Sequence, residues 1–178
     1  MTDEAPTLNL INDANPAINA AWAALASVPD PEIPVLSLVE LGVIRGVTFE
    51  GDVLVVQMTP TYAGCPAIET MRADALAALH SAGFEARIDT VLSPAWSSAS
   101  LGDIARDKLR AYGIAPPHVQ PAGGARPLQF FAPSGYLPPC PQCKSRSTEK
   151  LSEFGSTACK ALYRCTACKE PFDYFKPY

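Results

Sequence analysis

No apolar run in the 178 residues is long enough to cross a bilayer, and the opening Met1-Thr-Asp-Glu4 is acidic with no hydrophobic stretch behind it. The sequence therefore predicts no membrane span and no signal peptide, and a cytoplasmic setting. Histidine is scarce, at two residues. No set of four carboxylates and two histidines for a di-iron centre is present, and no glycine-rich dinucleotide fingerprint occurs. Neither His80 nor His118 stands near a serine or aspartate arranged like a triad, and both read as solvent-facing.

Basic charge is also short over most of the chain. Residues 1–113 hold six Lys and Arg against fourteen Asp and Glu, a balance of −8, while residues 140–178 hold seven against four, a balance of +3. An acidic main body opposes bulk nucleic-acid binding, which needs a positive face to displace counterions. The basic tail keeps a weaker version of that reading open, through Lys144, Arg146, Lys150, Tyr163 and Arg164.

What the chain does have is cysteine and proline. A chain of this length does not need disulfides for its core, and in a reducing compartment clustered cysteines bind metal or do chemistry. Cys140-Pro-Gln-Cys143 and Cys165-Thr-Ala-Cys168 are two knuckles separated by twenty-one residues. Four thiolates in a tetrahedron suit a structural zinc ion, with iron as the rival metal. Cys159, six residues before Cys165, reads as a small buried residue on a ribbon strand and is left outside the metal set.

Helix and strand signals divide the rest. Ile18, Ala21, Trp22, Leu25 and Val28 fall on one helical face behind an Asn15 cap and Pro16. Val43 to Phe49 and Val53 to Thr59 read as a hairpin across Glu50-Gly51-Asp52. A second helix is predicted over Pro66 to Ala82, an alternating strand from Phe84 to Leu92, and a third helix from Asp103 to Tyr112. This order predicts an α+β domain over 15–113, its sheet covered by helices on one side. Seven of the twenty-five residues from Ala115 to Pro139 are proline. That density predicts a semi-rigid linker over 114–139, ahead of a zinc β-ribbon over 140–178.

Cys65, in Gly64-Cys65-Pro66, is expected at the N-cap of the second helix, where backbone N–H groups favour a thiolate; a plain capping or packing role is the competing reading. Asp30 and Glu32, in Asp30-Pro-Glu-Ile-Pro34, are carboxylates in a stiff turn. Trp96 follows the last strand and fits either the core or a partner surface.

Asp30-Pro-Glu-Ile-Pro34, Ser37-Leu-Val-Glu-Leu-Gly42 and Thr59-Pro-Thr-Tyr-Ala-Gly-Cys-Pro66 together resemble the SufT-like domain of iron–sulfur cluster assembly factors. With Pro94-Ala-Trp96, Lys108 to Pro117, Phe154 to Lys160 and Glu170-Pro-Phe172, nearly the whole chain is similar to the PaaD family of bacterial phenylacetate catabolism. That resemblance implies a non-catalytic accessory subunit of a phenylacetyl-CoA epoxidase, a multicomponent di-iron monooxygenase. It would insert or maintain iron or an iron–sulfur cluster in the oxygenase or reductase subunits, with transient metal handled at Cys65, Asp30 and Glu32. A homodimer is a further partner option. Three function classes stand: metal delivery, a thiol enzyme using Cys65, and a nucleic-acid-binding ribbon. The thiol enzyme needs a base that the sequence does not place near Cys65.

Overall fold

A computed structural model describes residues 15–62, 64–118 and 136–178. Helix α1, Pro16–Ala26, starts where the Asn15 side chain accepts from the backbone N–H of Ala17 and Ile18, so two donors that no helical carbonyl can reach are satisfied. It buries Ala21 and Leu25. A single helical turn, α2 (Leu38–Leu41), follows, closed by a reciprocal box. Ser37 accepts from the Glu40 N–H while the Glu40 carboxylate accepts from the Ser37 N–H. Gly42 ends it at φ +76°, where a Cβ would also meet the Ser100 Cβ at 3.0 Å.

Strands β1 (Ile44–Glu50) and β2 (Val53–Met58) form the predicted antiparallel hairpin, with Val47 opposite Val56 and Phe49 opposite Leu54. Helix α3 (Ile68–Ser81) buries Met71, Ala75 and Leu79 at every fourth position and returns the chain to β3 (Ala86–Thr90). β3 pairs parallel to β2, Val56 facing Ile88, so the sheet order is β1-β2-β3. A helical crossover is what a parallel pair requires. Leu54, Val56 and Met58 face the helices in one core with Leu25, Leu41, Met71 and Leu79.

Helix α4 (Asp103–Tyr112) carries a buried cation. The Arg106 guanidinium donates to the carbonyls of Leu101, Ser98 and Pro117 at 3.1, 2.7 and 2.6 Å. Burial holds it below the ordinary arginine value, and three carbonyl dipoles take the place of a carboxylate. This staple fixes the chain on both sides of α4. Ile114–Ala115, the start of the segment expected to be a linker, form β4 and pair parallel with β7. The remaining ribbon strands are β5 (Thr148–Ser152), β6 (Lys160–Cys165) and β7 (Pro171–Phe175), giving the order β4-β7-β6-β5. Most of the proline-rich segment lies outside the described residues.

The ribbon sheet has two working faces. Ala161, Tyr163, Cys165, Phe172 and Tyr174 pack together as its own core. Strand alternation then turns Phe175 to the opposite face, where it joins the core of the first unit together with Cys159.

Candidate functional site

Each knuckle is built the same way. The N–H of Cys140 donates to Ser145 O and that of Lys144 to Cys140 O; the equivalent bonds run from Cys165 to Glu170 and from Lys169 to Cys165. Lys144 and Lys169 close the turns at φ +64° and +70°. The four sulfurs lie within 4.8 Å of one another, with Cys140 to Cys168 at 3.7 Å and Cys143 to Cys165 at 3.5 Å. A tetrahedron of zinc–sulfur bonds of about 2.3 Å has edges of about 3.8 Å, so the array fits that ion with small adjustment. The backbone N–H of Cys168 leads the donors that lower the Cys165 thiol, while the neighbouring thiols raise that of Cys168, so the crowded set gives up a first proton easily and resists losing the next without a cation.

Cys65 lies elsewhere, between β2 and α3. Its expected position as the helix cap is corrected by the structure. The turn from Tyr62 O to the Cys65 N–H closes first, and regular helix begins only at Ile68, with Ala67 in the cap position and no side-chain cap. Cys65 is instead packed in the core and 7% exposed. Burial pushes its thiol up, hydrogen bonding from Ala67 and Thr61 offsets part of this, and the Glu32 and Asp30 charges push it further. The thiolate is therefore disfavoured in the free protein, contrary to the sequence expectation.

Asp30 is also buried, and Oδ1 is committed to its own turn, accepting from the N–H of Glu32 at 2.9 Å and of Ile33 at 2.6 Å. Burial raises its carboxyl above the ordinary value despite those two donors. Glu32 reaches the ribbon. Its Oε2 lies 3.4 Å from Cys159 Sγ, and its carbonyl accepts from Lys160 Nζ at 3.2 Å. The three proposed handling residues are thus neighbours, and a fourth residue from the ribbon stands with them.

Two family models match: one described as the PaaD zinc beta ribbon domain over residues 136–176, the other as an iron–sulfur cluster assembly protein over residues 18–91. A relative from Escherichia coli (strain K12), described as a subunit of a "Putative 1,2-phenylacetyl-CoA epoxidase", is 46% identical over 167 residues, covering 92% of this chain and 94% of its own. The chain belongs to the PaaD family. Among solved structures, a DUF59 domain from Bacillus anthracis is 30% identical, with 51% of this chain and 89% of that chain covered at a TM-score of 0.48. The solution structure of Rv1466 from Mycobacterium tuberculosis, described as associated with Fe–S complex assembly and repair, is 28% identical. It covers 58% of this chain and 95% of its own, at a TM-score of 0.34.

In this PaaD-family chain, sequence reasoning kept Cys159 out of the four-cysteine cluster, and the cluster of sulfurs excludes it. It missed what Cys159 faces. No local pattern signals a contact between residues 127 positions apart. The loop that carries Cys159 is fixed by Gly155 N–H on Lys160 O at 2.7 Å and by Ser156 Oγ on Asp173 at 2.7 Å. A Cβ at Gly155 would collide with that aspartate. Trp96, left between core and surface by sequence, is buried. His118, expected in solvent, is instead half-buried, stacked on Tyr136 with its Nδ1 2.8 Å from the Tyr174 hydroxyl, and burial lowers its pKa. His80 is exposed, as expected.

Proposed function

We propose that the chain is the accessory subunit of a phenylacetyl-CoA epoxidase system and inserts or maintains iron, or an iron–sulfur cluster, in the oxygenase or reductase subunits. Zinc holds the ribbon through Cys140, Cys143, Cys165 and Cys168, and Cys65 is the working thiol. The observation that supports this reading is the burial of Cys65 in the apolar core with the Glu32 and Asp30 charges acting on it. Two carboxylates beside a buried thiol oppose its ionisation, and a cation that takes the thiolate converts that opposition into binding.

A thiol enzyme would instead need a base and a reactive thiolate. Burial raises the Cys65 thiol, and among the described residues His80 lies on the surface while His118 is engaged with Tyr174 and Tyr136. Two of the four ribbon cations that would hold nucleic acid are paired with carboxylates, Arg164 with Glu149 and Lys150 with Glu153. The test is reconstitution with the oxygenase and reductase subunits under iron limitation. Cys65→Ser is expected to keep ribbon zinc but lower partner iron or cluster content and epoxidase activity together. Full partner metal content with Cys65→Ser removes the delivery reading. Activity lost at normal metal content promotes the thiol reading.

A further inference from the structure

The cluster around Glu32 draws on both halves of the chain. Cys65 comes from the turn before α3 and Glu32 from the turn after α1, whereas Cys159 comes from the ribbon, at the entry to β6. Cys65 and Cys159 are both buried, 7% and 4% exposed, and both belong to one apolar cluster. Neither has a disulfide partner. Tyr62 and Tyr178 stack over the same region with centroids 5.6 Å apart, one ring from each half of the chain.

Two features of this pocket are unexplained by packing alone. Among the described residues the buried Tyr62 hydroxyl has no hydrogen-bond partner, although buried phenols usually find one. Burial raises the Tyr62 phenol, and the charges of Cys65, Glu32 and Cys159 add to it; Tyr62 also closes the turn that carries Cys65, its carbonyl accepting from the Cys65 N–H at 3.1 Å, while Glu32 Oε2 and Cys159 Sγ lie 3.4 Å apart. A bound anionic ligand set with its metal would give that hydroxyl an acceptor.

We propose that Cys159 of the ribbon and Cys65 of the assembly domain supply two thiolates, and Glu32 a carboxylate, to one composite site for a borderline divalent cation of the ferrous type. Two sulfur donors and one oxygen donor suit such an ion better than a hard cation such as magnesium. On binding, two S–H bonds break, two protons leave to solvent and two metal–sulfur bonds form. No electron is transferred. Three negative ligands around a 2+ ion leave the site at −1, against −3 for the same ligands without it.

Among the described residues the only trio or larger set already within ligand distance is the four-cysteine ribbon site. The composite site is therefore open in the free chain and closes by side-chain rotation around the ion, as expected of a cargo site that must also release. Glu32, partly exposed, stands at its solvent edge and already lies 3.4 Å from Cys159 Sγ, so Cys65 is the ligand on which the site closes. The ribbon then has a second purpose beyond its own zinc: it holds Cys159 at the mouth of the assembly domain. This inference rests on the delivery reading in one respect, that Cys65 is a metal-handling residue.

The experiment uses the full chain with zinc in the ribbon, kept anaerobic, and adds cobalt(II) as an optical stand-in for ferrous iron. Wild type is expected to take up one cobalt beyond the zinc, with a sulfur-to-cobalt charge-transfer band and, by cobalt X-ray absorption, two sulfur donors plus oxygen. Cys159→Ser and Cys65→Ser should each leave about half of the band and weaken binding more than about tenfold. Glu32→Gln should weaken binding and leave the band intensity unchanged. Zinc should stay at one per chain throughout, which also reports that each variant is folded. If Cys159→Ser binds like wild type while Cys65→Ser does not, the composite site is overturned and the delivery reading stands. No cobalt uptake by wild type, or a four-sulfur cobalt site, also overturns it; the delivery reading is then judged by partner iron content alone.

Discussion

The indole of Trp96 packs on the ring of Phe175, with centroids 5.9 Å apart. Trp96 belongs to the segment after β3 and Phe175 to the last ribbon strand, so this contact joins the two units. The indole N–H donates to Leu41 O at 2.9 Å and the ring also meets Tyr178 edge-on at 6.3 Å. Trp96→Ala removes a buried aromatic at this seam and is expected to cost about 3–5 kcal/mol of stability. Trp96→Phe should cost less, about 1–3 kcal/mol, since it fills most of the space but leaves the Leu41 carbonyl without its donor. Urea unfolding of both variants checks the order; equal stability of Trp96→Ala and wild type would show that the seam adds nothing to stability in solution.

Chelation of the ribbon metal should reach the first unit. A ribbon of this type folds with its ion, and Phe175 and Cys159 sit in the core that also contains Leu25, Met58 and Leu79. Removing zinc should therefore change the near-ultraviolet signal of the tryptophans and lower the melting temperature of the whole chain, with recovery on adding zinc back. A ribbon that melts while the tryptophan signal is unmoved would mean the two units are energetically independent.

Glu40 gives a pH signature. Burial alone would raise its carboxyl, but Lys108 at 2.5 Å and the Ser37 N–H outweigh that and leave it below the ordinary value of 4.5. A carboxyl whose folded pKa is depressed contributes stability above its unfolded pKa and loses it as pH falls through the folded one. Glu40→Gln should thus be destabilising at pH 7, by about 0.5–1 kcal/mol given the partly exposed pair. Thermal melts should show the gap constant down to about pH 5 and closing below about 4.5. A gap that persists unchanged at pH 3 would mean that the lost contact is steric rather than ionic.

What the sequence carried was local. Asn15-Pro16 set the start of α1, the Glu50-Gly51-Asp52 turn set the hairpin, and the repeat of Met71, Ala75 and Leu79 set α3. The two Cys-x-x-Cys spacings announced the sulfur cluster for the same reason: each pair is fixed by one turn. α2 was not read from the sequence: Ser37 to Gly42 entered only as a family motif, and the Ser37–Glu40 box closes a helix too short for periodicity to reveal. The start of α3 slipped because the Tyr62–Cys65 turn competes with the helix for the same backbone. β4 and the approach of Cys159 to Glu32 depend on partners far along the chain, and the Arg106 staple on backbone carbonyls of irregular segments five to eleven residues away, which no periodic pattern encodes.

Asp30 tests whether the pocket keeps charge at the expense of stability. Its burial raises the folded pKa above the ordinary 3.8, so its stabilising form is the protonated one, fully present below the unfolded pKa and lost as pH rises through the folded one. At pH 7 the chain therefore carries a buried carboxylate that opposes folding. Asp30→Asn keeps an oxygen to accept from the Glu32 and Ile33 N–H groups and removes the charge. The melting temperature of Asp30→Asn should exceed that of wild type at pH 7 and converge with it in acid below about 3.8. Asp30→Ala leaves both N–H groups without an acceptor and should be destabilised by about 1–3 kcal/mol at every pH. If the negative field beside Cys65 serves a cation, the more stable Asp30→Asn should also hold cobalt(II) more weakly than wild type. Stability and metal affinity moving in opposite directions in one variant would mark Asp30 as a charge retained for function. Asp30→Asn that is less stable than wild type, with metal affinity unchanged, would reduce it to a turn residue.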